Sequence, residues 1–595
     1  MSTYKYPTKE LSINNAKAFI NAVNSTDTST VKKSVIIYAC IGNTDVWPDE
    51  PAPSFPPLND QQKDYEVKRD FIGARKVDTG SYSHVTLRYD WISGTVYSMY
   101  KDTTTDIFDP NKPTFYVITS QLNVYKCLNN NNAVASTIKP TGFSTLPFTT
   151  SDGYVWKYLY TVSLGDYDKF MTVTHIPVKT IAASDTSTES DRLLAVQNAA
   201  VSGAIQVIVP NTSGVDYSQV LDAAVATATS TSLTVSSASD IAISSEADVY
   251  NGSSLYITTG TGAGQLRRII DYVATTRTLV VNASFQTLPD TDSRIIISPT
   301  VTIIGDGQGA QAYSKLNTVT GGISELSMIN VGSGYTAAKA LITANTLHGS
   351  GATANVIISP AGGHGSDPVR ELGADKICLN VQFQGSEGVS ATGAGYVPSN
   401  TSFRTISLLQ DPILKVDAEN VAMSESVANT SNSPATLRLA TRASISYISV
   451  DNDVPQNPVV AGDTITNERN RARASLGTLE FVTELNEIQR ETDSMANALL
   501  GANAAIAYIR DDETKSDTSF YTAYLNRVQS YGAYIPFTKD DVILKAGSTT
   551  PIATVEDIQG PEANTFSGEV IYTENISTVD RSPDQTEDIK IILDF

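Results

Sequence analysis

The side chains that most often do chemistry are few and far apart in this sequence. Its four histidines, His84, His175, His348 and His364, are isolated from one another. None keeps a metal-pair spacing such as His-x-x-x-His or lies beside two cysteines, so each reads as a surface or loop residue. The three cysteines, Cys40, Cys127 and Cys378, are equally scattered, each with an apolar residue beside it. That pattern fits buried thiols in a reducing compartment rather than a disulfide frame or a metal site. The string Gly260-Thr261-Gly262-Ala263-Gly264-Gln265 and the two Gly-x-Gly-Ala copies at 307–310 and 349–352 invite a phosphate-loop reading. Neither runs on into the Lys-Ser/Thr of a P-loop or sits between a parallel strand and a helix, so both read as tight β-turns. Asp511-Asp512-Glu513 and Asp540-Asp541 lack the glycine and carboxylate spacing of a calcium loop and read as solvated turns. No Gly-x-Ser-x-Gly elbow occurs. A glycosidase's paired carboxylates meet only in space, and nothing in this order singles out a pair. No catalytic, cofactor-binding or metal-binding residue is assigned, no cofactor is expected, and the chain is expected not to be an enzyme.

Composition sets wider bounds. A chain of 595 residues is too long for one core and should hold several domains. Apolar residues make up an ordinary 41%, while charged residues are only 18% and Thr, Ser, Asn, Ala and Val abound, which favours turn-rich β-structure. A formal charge of −21 argues against nucleic acid as a partner, because phosphate contacts need clustered Lys and Arg. Met1-Ser2-Thr3-Tyr4-Lys5 lacks a signal peptide's apolar core, and no apolar run approaches the roughly 20 residues of a membrane helix. The expectation is a protein without membrane insertion, made and kept in a cytoplasm or in something assembled there.

The elements that would position any site are mostly strands. Ser12 can cap a helix carrying Ile13, Ala16, Ile20 and Val23, and Lys33–Ile41 reads as a buried strand. Trp47 to Pro57 is a Pro-rich loop that reads as docked on the surface. Strands follow at Val85–Trp91, Phe115–Thr119 and Asn123–Leu128, and Phe170–Thr174 closes this region. Between them, Asp152-Gly153 turns into Tyr154–Val162, where Tyr154, Trp156, Tyr158 and Tyr160 share one parity and should crowd one face of a central strand. From about 196 to 395 aromatics thin out and an internal repeat appears. Gly203–Val209 with Ser213-Gly214-Val215-Asp216-Tyr217 returns as Gly322–Ile329 with Ser333-Gly334-Tyr335, and Val301–Ala312 returns as Ala340–Ala354. The first copy is split by a β-module at about 220–299, one insertion nested in another. Phe403–Leu409, ended by Asp411-Pro412, returns to the residue pattern of the first region. A further insertion at 416–565 is expected to be mixed α/β, with a long helix over Leu479–Leu500. The chain ends in the strand Ile589–Phe595.

Several of these stretches together resemble one family, the β-sandwich baseplate wedge subunit of T-even-type contractile-tailed bacteriophages (gene product eight in that family's naming). The resemblance rests on Asp152-Gly153-Tyr154-Val155-Trp156-Lys157-Tyr158-Leu159, Phe403-Arg404-Thr405-Ile406-Ser407 with Asp411-Pro412, Ser567-Gly568-Glu569-Val570-Ile571-Tyr572-Thr573-Glu574-Asn575, and Asp584–Ile591. Trp47 before its Pro-rich loop, Arg88-Tyr89-Asp90-Trp91 and Val124–Leu128 add to it, all in the family's order. It covers roughly 1–195, 396–415 and 566–595, under half of the chain. It implies a mainly β fold, a layered β-sandwich core with helix-bearing loops, into which the small β-rich modules of 196–395 and the partly helical 416–565 are inserted. It further implies a homodimer in the virion's tail baseplate, assembled in the host cytoplasm, that touches neighbouring wedge proteins and carries no catalytic residues. The segments at Phe403 and Ser567 are then expected to return to the sandwich of Tyr154–Val162.

Two other readings stand beside this one. The Gly-rich modules of 196–395 suggest a virion adhesion or carbohydrate-binding protein. The β-rich repeats and many carboxylates suggest a polysaccharide-cleaving enzyme.

Overall fold

Alternation of apolar and polar residues, dense β-branching and frequent Gly and Asp turns write strands into much of the chain, and strands are the commonest element among the described residues. The computed structural model describes residues 8–24, 35–56, 61–104, 106–237, 243–317, 319–343, 349–384, 397, 401–415, 425–427, 434–448, 450–451, 454–455, 457–459, 464–467, 501–511, 520–531, 537–545, 547–582 and 584–595. The fold is mainly β, built of antiparallel sheets with a few short helices. The chain divides into two compact units, Met1–Ile13 with His84–Asp375, and Asn14–Ser83 with Lys376–Phe595. The expected helix at Leu479–Leu500 lies outside the described residues.

In the first unit, Tyr154–Thr161 is the buried strand of a four-stranded sheet ordered Tyr116–Ile118, Asn123–Asn130, Tyr154–Thr161, Phe148–Thr149. Asp152 explains how its turn is fixed. Its Oδ2 accepts from Thr137 N at 2.8 Å, Ile138 N at 3.0 Å and Ser136 Oγ at 3.0 Å, and its Oδ1 accepts from Thr150 Oγ1. Gly153 follows at φ +82, a conformation glycine adopts without strain. The strict parity expected of the four aromatics fails at one point. Tyr158 pairs with Tyr125 but Tyr160 with Val124, so Leu159 is an extra residue in a β-bulge. Tyr154, Trp156 and Tyr158 pack with Tyr97 and Cys127 on one face, whereas Leu159 and Tyr160 both join Phe115 and Ile176 on the other.

Two short helices form where the sequence reading named none. Leu164–Phe170 is capped by Ser163, whose Oγ accepts from Asp166 N at 3.1 Å, so Phe170 ends a helix and the strand comes later, at His175–Val178. Thr188–Asn198 is capped in the same way by Ser187. The opening helix, Lys9–Asn24, begins before Ser12, with Thr8 Oγ1 accepting from Leu11 N.

The internal repeat forms one six-stranded sheet with a pseudo-twofold order. Its strands run Ile323–Ser333, Gln308–Leu316, Thr300–Gly305, Ala338–Thr343, Ser350–Ile358 and Ile205–Val215. The equivalent strands Thr300–Gly305 and Ala338–Thr343 meet at the centre, and each copy's first strand pairs with the other copy's last. The repeated tyrosines sit in matching seats. Tyr217 Oη accepts from Ala352 N at 3.2 Å, and Tyr335 Oη accepts from Ala310 N at 3.3 Å. A Cβ on Gly349 would lie 2.2 Å from the Tyr217 ring, and one on Gly307 would lie 2.5 Å from that of Tyr335. The Gly-x-Gly-Ala motif is thus a socket for a tyrosine of the other copy.

Between Ile205–Val215 and Thr300–Gly305 the chain forms a closed barrel of six strands spanning Val220–Ser298, filled by Leu233, Leu255, Ile257, Tyr272, Leu279 and Ile295 among others. Its string Gly260–Gly264 is the hairpin connection between Ser254–Thr259 and Leu266–Val273, with Gly260, Gly262 and Gly264 all at positive φ.

The second unit holds a five-stranded sheet ordered Thr436–Arg438, Phe71–Lys76, Ile37–Gly42, Ser402–Gln410, Glu569–Asp580. Ser402–Gln410 pairs with Ile37–Gly42 on one side and with Glu569–Asp580 on the other, so the segments at Phe403 and Ser567 share one sheet with the Ile37–Gly42 strand. Asp411 Oδ1 accepts from Ile36 N at 2.9 Å, and Ser567 Oγ accepts from Ile413 N at 2.8 Å. Lys376–Gln384 pairs with Thr586–Asp594 from one end to the other. The Trp47 loop is docked: Trp47 Nε1 donates to Ile576 O at 3.0 Å, and Arg404 Nε donates to Glu50 Oε1 at 2.6 Å. A second closed barrel runs from Thr441–Tyr447 to Ala553–Gln559.

Trp156 stacks on Tyr154 at 5.5 Å and meets Tyr97 edge-on at 5.8 Å, fully buried. Trp156→Ala should cost about 3–5 kcal/mol, as for other buried aromatics. Thermal or urea unfolding measures it, and a soluble variant with unchanged melting would contradict this packing.

Candidate functional site

Strand pairing in the first unit sets Lys126 directly opposite Lys157. Both side chains point away from the Trp156 face, and both residues are 0% exposed. Two like charges facing each other across neighbouring strands are unfavourable even at a surface, and burial multiplies the cost of each unless it is paired. The chain supplies the partners from a segment more than 200 residues away. Pro368–Glu371 is a single helical turn capped by Asp367, and it carries Val369 and Leu372 into the same apolar cluster as Leu159 and Ile176. Glu371 thereby enters the interior beside Lys126.

The resulting cluster is tightly connected. Lys126 Nζ donates to Glu371 Oε2 at 2.8 Å and to His364 Nδ1 at 3.0 Å, and it lies 3.9 Å from the centre of the Tyr100 ring. Three donors thus meet a carboxylate, an imidazole nitrogen and a π face. Because Nδ1 accepts from Lys126, the proton of neutral His364 belongs on Nε2. Glu371 Oε1 accepts from Gly365 N, and Lys157 Nζ turns to Thr145 O. The imidazole packs edge-on against Tyr100 at 4.9 Å.

Electrostatics follow from burial and these contacts. Desolvation pushes the Lys126 ammonium down, with Glu371 opposing it. Lys157, buried without a carboxylate of its own, is pushed down to about 8. Burial and the neighbouring Lys126 charge lower His364 to about 4, so it is neutral at pH 7. Burial alone would raise Glu371, but the Lys126 charge and the hydrogen bonds outweigh it and hold the carboxyl down at about 2.

The histidines divide sharply in this structure. His364 lies in a turn, as a loop residue should, but it is buried and central to the cluster, which corrects its reading as a surface residue; a partner 238 residues away brings it inside. His84 and His175 stand on paired strands, half-buried, and His348 lies outside the described residues. Cys40, Cys127 and Cys378 are free and buried; burial pushes Cys378 up to about 11 and the other two further. Among the described residues no group of three or more His, Cys, Asp or Glu is gathered to hold a metal ion. Asp541 is buried and its Oδ2 accepts from Thr538 N at 2.8 Å, so it closes its own turn rather than facing solvent.

A separate groove of about 820 Å³ opens in the same unit. Its walls include Lys101, Asp102, Asn130 and Asn132 on one side, and Asn211 and Asn355 of the six-stranded sheet on the other.

No family model matches the chain, and no curated protein matches it. No described helix is long and apolar enough to cross a membrane.

The His364 environment has a pH signature. Its folded value lies near 4 against an ordinary 6.5, so the unfolded chain takes up a proton first as pH falls. Stability present above about pH 6.5 should drain away towards pH 4, on the order of 3 kcal/mol in all. His364→Gln, which keeps an acceptor for Lys126, should flatten melting temperature against pH in that window. An unchanged slope would show that His364 does not titrate as placed.

Proposed function

We propose that this chain is a structural subunit of the baseplate wedge of a contractile phage tail. In this reading it acts within the virion as a homodimer, assembled in the host cytoplasm, joins neighbouring wedge proteins and performs no catalysis. The observation that carries the reading is the ordered set of motifs from Asp152-Gly153-Tyr154-Val155-Trp156 through Phe403–Ser407 and Asp411-Pro412 to Ser567–Asn575 and Asp584–Ile591.

Physical features support it. The first motifs have defined mechanical roles: Asp152 pins a loop, Asp411 and Ser567 fasten strand ends, and Arg404 anchors the Pro-rich loop through Glu50. Polar groups used in this way stiffen a subunit rather than line a reactive cleft. An acidic surface agrees with protein rather than nucleic-acid neighbours. Permanent partners would also allow exposed apolar side chains such as Phe55, Val173 and Val319 to be covered in an assembly.

The test is assembly. The purified chain should run as a stable dimer by light scattering, show no hydrolase activity, and enter tail particles when mixed with the other wedge proteins. A persistent monomer that never enters them would sink the proposal.

The groove between Asn130 and Asn355 favours a second reading, adhesion to host glycans, since amide, ammonium and carboxylate groups suit sugar hydroxyls. A glycan array probed with the whole chain should then show a preferred sugar. Asn355→Ala should abolish the signal, and a blank array removes this reading.

A further inference from the structure

The cluster around Lys126 contains more than an ion pair needs. An amine nitrogen, a carboxyl carbon, an oxyanion donor and a proton carrier stand within contact of one another, in a site closed to water. Lys126 Nζ lies 2.8 Å from Glu371 Oε2. The other carboxyl oxygen, Oε1, is held by the backbone N–H of Gly365. His364 Nδ1 accepts from Nζ at 3.0 Å and stands 3.6 Å from Oε2, so a small shift of the ring carries it from one end of the proton's path to the other. The Lys126 and Glu371 side chains are 0% and 3% exposed. We propose that Lys126 and Glu371 condense into an intramolecular amide, a covalent cross-link between the Asn123–Asn130 strand and the Pro368–Glu371 turn.

The chemistry balances without any co-reactant. Along the 2.8 Å hydrogen bond one proton passes from the ammonium to Oε2, giving a neutral amine and a neutral acid. The amine lone pair attacks Cδ and the Nζ–Cδ bond forms. Negative charge develops on Oε1, where the Gly365 N–H stabilises it as an oxyanion-hole donor does. His364 Nδ1 takes a second proton from Nζ and delivers it to Oε2, the Cδ–Oε2 bond breaks, and water leaves. Nζ keeps one hydrogen, Oε1 becomes the amide carbonyl oxygen, and both formal charges vanish.

Two features favour this direction. In water, hydrolysis opposes amide formation, but here the product water is expelled from an apolar interior formed by Leu159, Val369 and Leu372. Buried charges are unfavourable even when paired, and the amide removes both while leaving Lys157 without a like charge opposite. Tyr100 over Nζ and the helical turn behind Glu371 hold the reacting groups in place, so little orientational freedom remains to be lost.

Tryptic digestion of the denatured wild-type chain, read by mass spectrometry, decides the matter. Trypsin cannot cut after an acylated lysine, and Glu371 directly follows Arg370. The expected product is a branched peptide in which Lys126 stays uncleaved and carries the segment Glu371–Lys376, lighter by one water than its two parts. K126R should restore cleavage after position 126 and release the free Glu371–Lys376 peptide. H364Q, isolated early after expression, should hold a larger uncondensed fraction than wild type. Wild-type digests that yield only a linear peptide ending at Lys126 and a free Glu371–Lys376 overturn the proposal, whatever the variants do.

Discussion

Two ammonium groups set opposite each other inside a β-sheet would push that sheet apart, and the first unit is organised around preventing it. Lys126 and Lys157 cannot reach solvent, so each must find oxygen or nitrogen within the fold. Glu371 and His364 answer Lys126, and Thr145 O answers Lys157. This requirement reaches far along the chain. The segment bearing His364 and Glu371 follows the whole six-stranded sheet and its inserted barrel, so the inserted material must return the chain to one spot. Loss of Glu371 would leave the buried Lys126 charge uncompensated, a much larger penalty than loss of a surface ion pair.

Local pattern carried much of this fold. The Tyr154–Thr161 strand, its Asp-Gly turn, the hairpins of the 220–298 barrel and the repeated strands on either side of it all announce themselves by β-branching, alternation and turn residues. What local pattern misses is whatever depends on pairing. Tyr160 changes face because one extra residue is taken up opposite Val124, and no alternation rule can foresee a bulge set by its neighbour. Phe170 ends a helix because Ser163 and Asp166 cap one, a signal easily overlooked in a run of only seven residues.

The candidate site was the least legible part. Lys126 and Lys157 look like the polar members of alternating strands, and His364 sits in a Gly-rich stretch that reads as loop. Their shared burial arises from a contact spanning 245 residues, which composition and spacing cannot express. In hindsight a capped Asp-Pro turn at Asp367-Pro368, carrying a glutamate among Val and Leu, was the available hint. The tyrosine sockets lie between these extremes. The repeat was visible in Gly-x-Gly-Ala and Ser-Gly-Tyr, but only the exchange of strands between copies reveals that the glycine of one exists for the tyrosine of the other.

That exchange has a consequence for how the protein reaches its native state. Asn211 and Thr353 touch across 142 residues, with the barrel and further strands of the sheet in between. The Ile205–Val215 strand leaves the ribosome long before Ser350–Ile358, so it must wait with its backbone amides unpaired. Meanwhile the barrel can close through pairings confined to Val220–Ser298, and because its first and last strands, Val220–Ala228 and Arg294–Ser298, pair with each other, closure brings the two ends of the inserted segment together and shortens the loop that the sheet must later close. A barrel that closes before the sheet around it thus acts as a staging element, lowering the entropic cost of joining the sheet's distant strands.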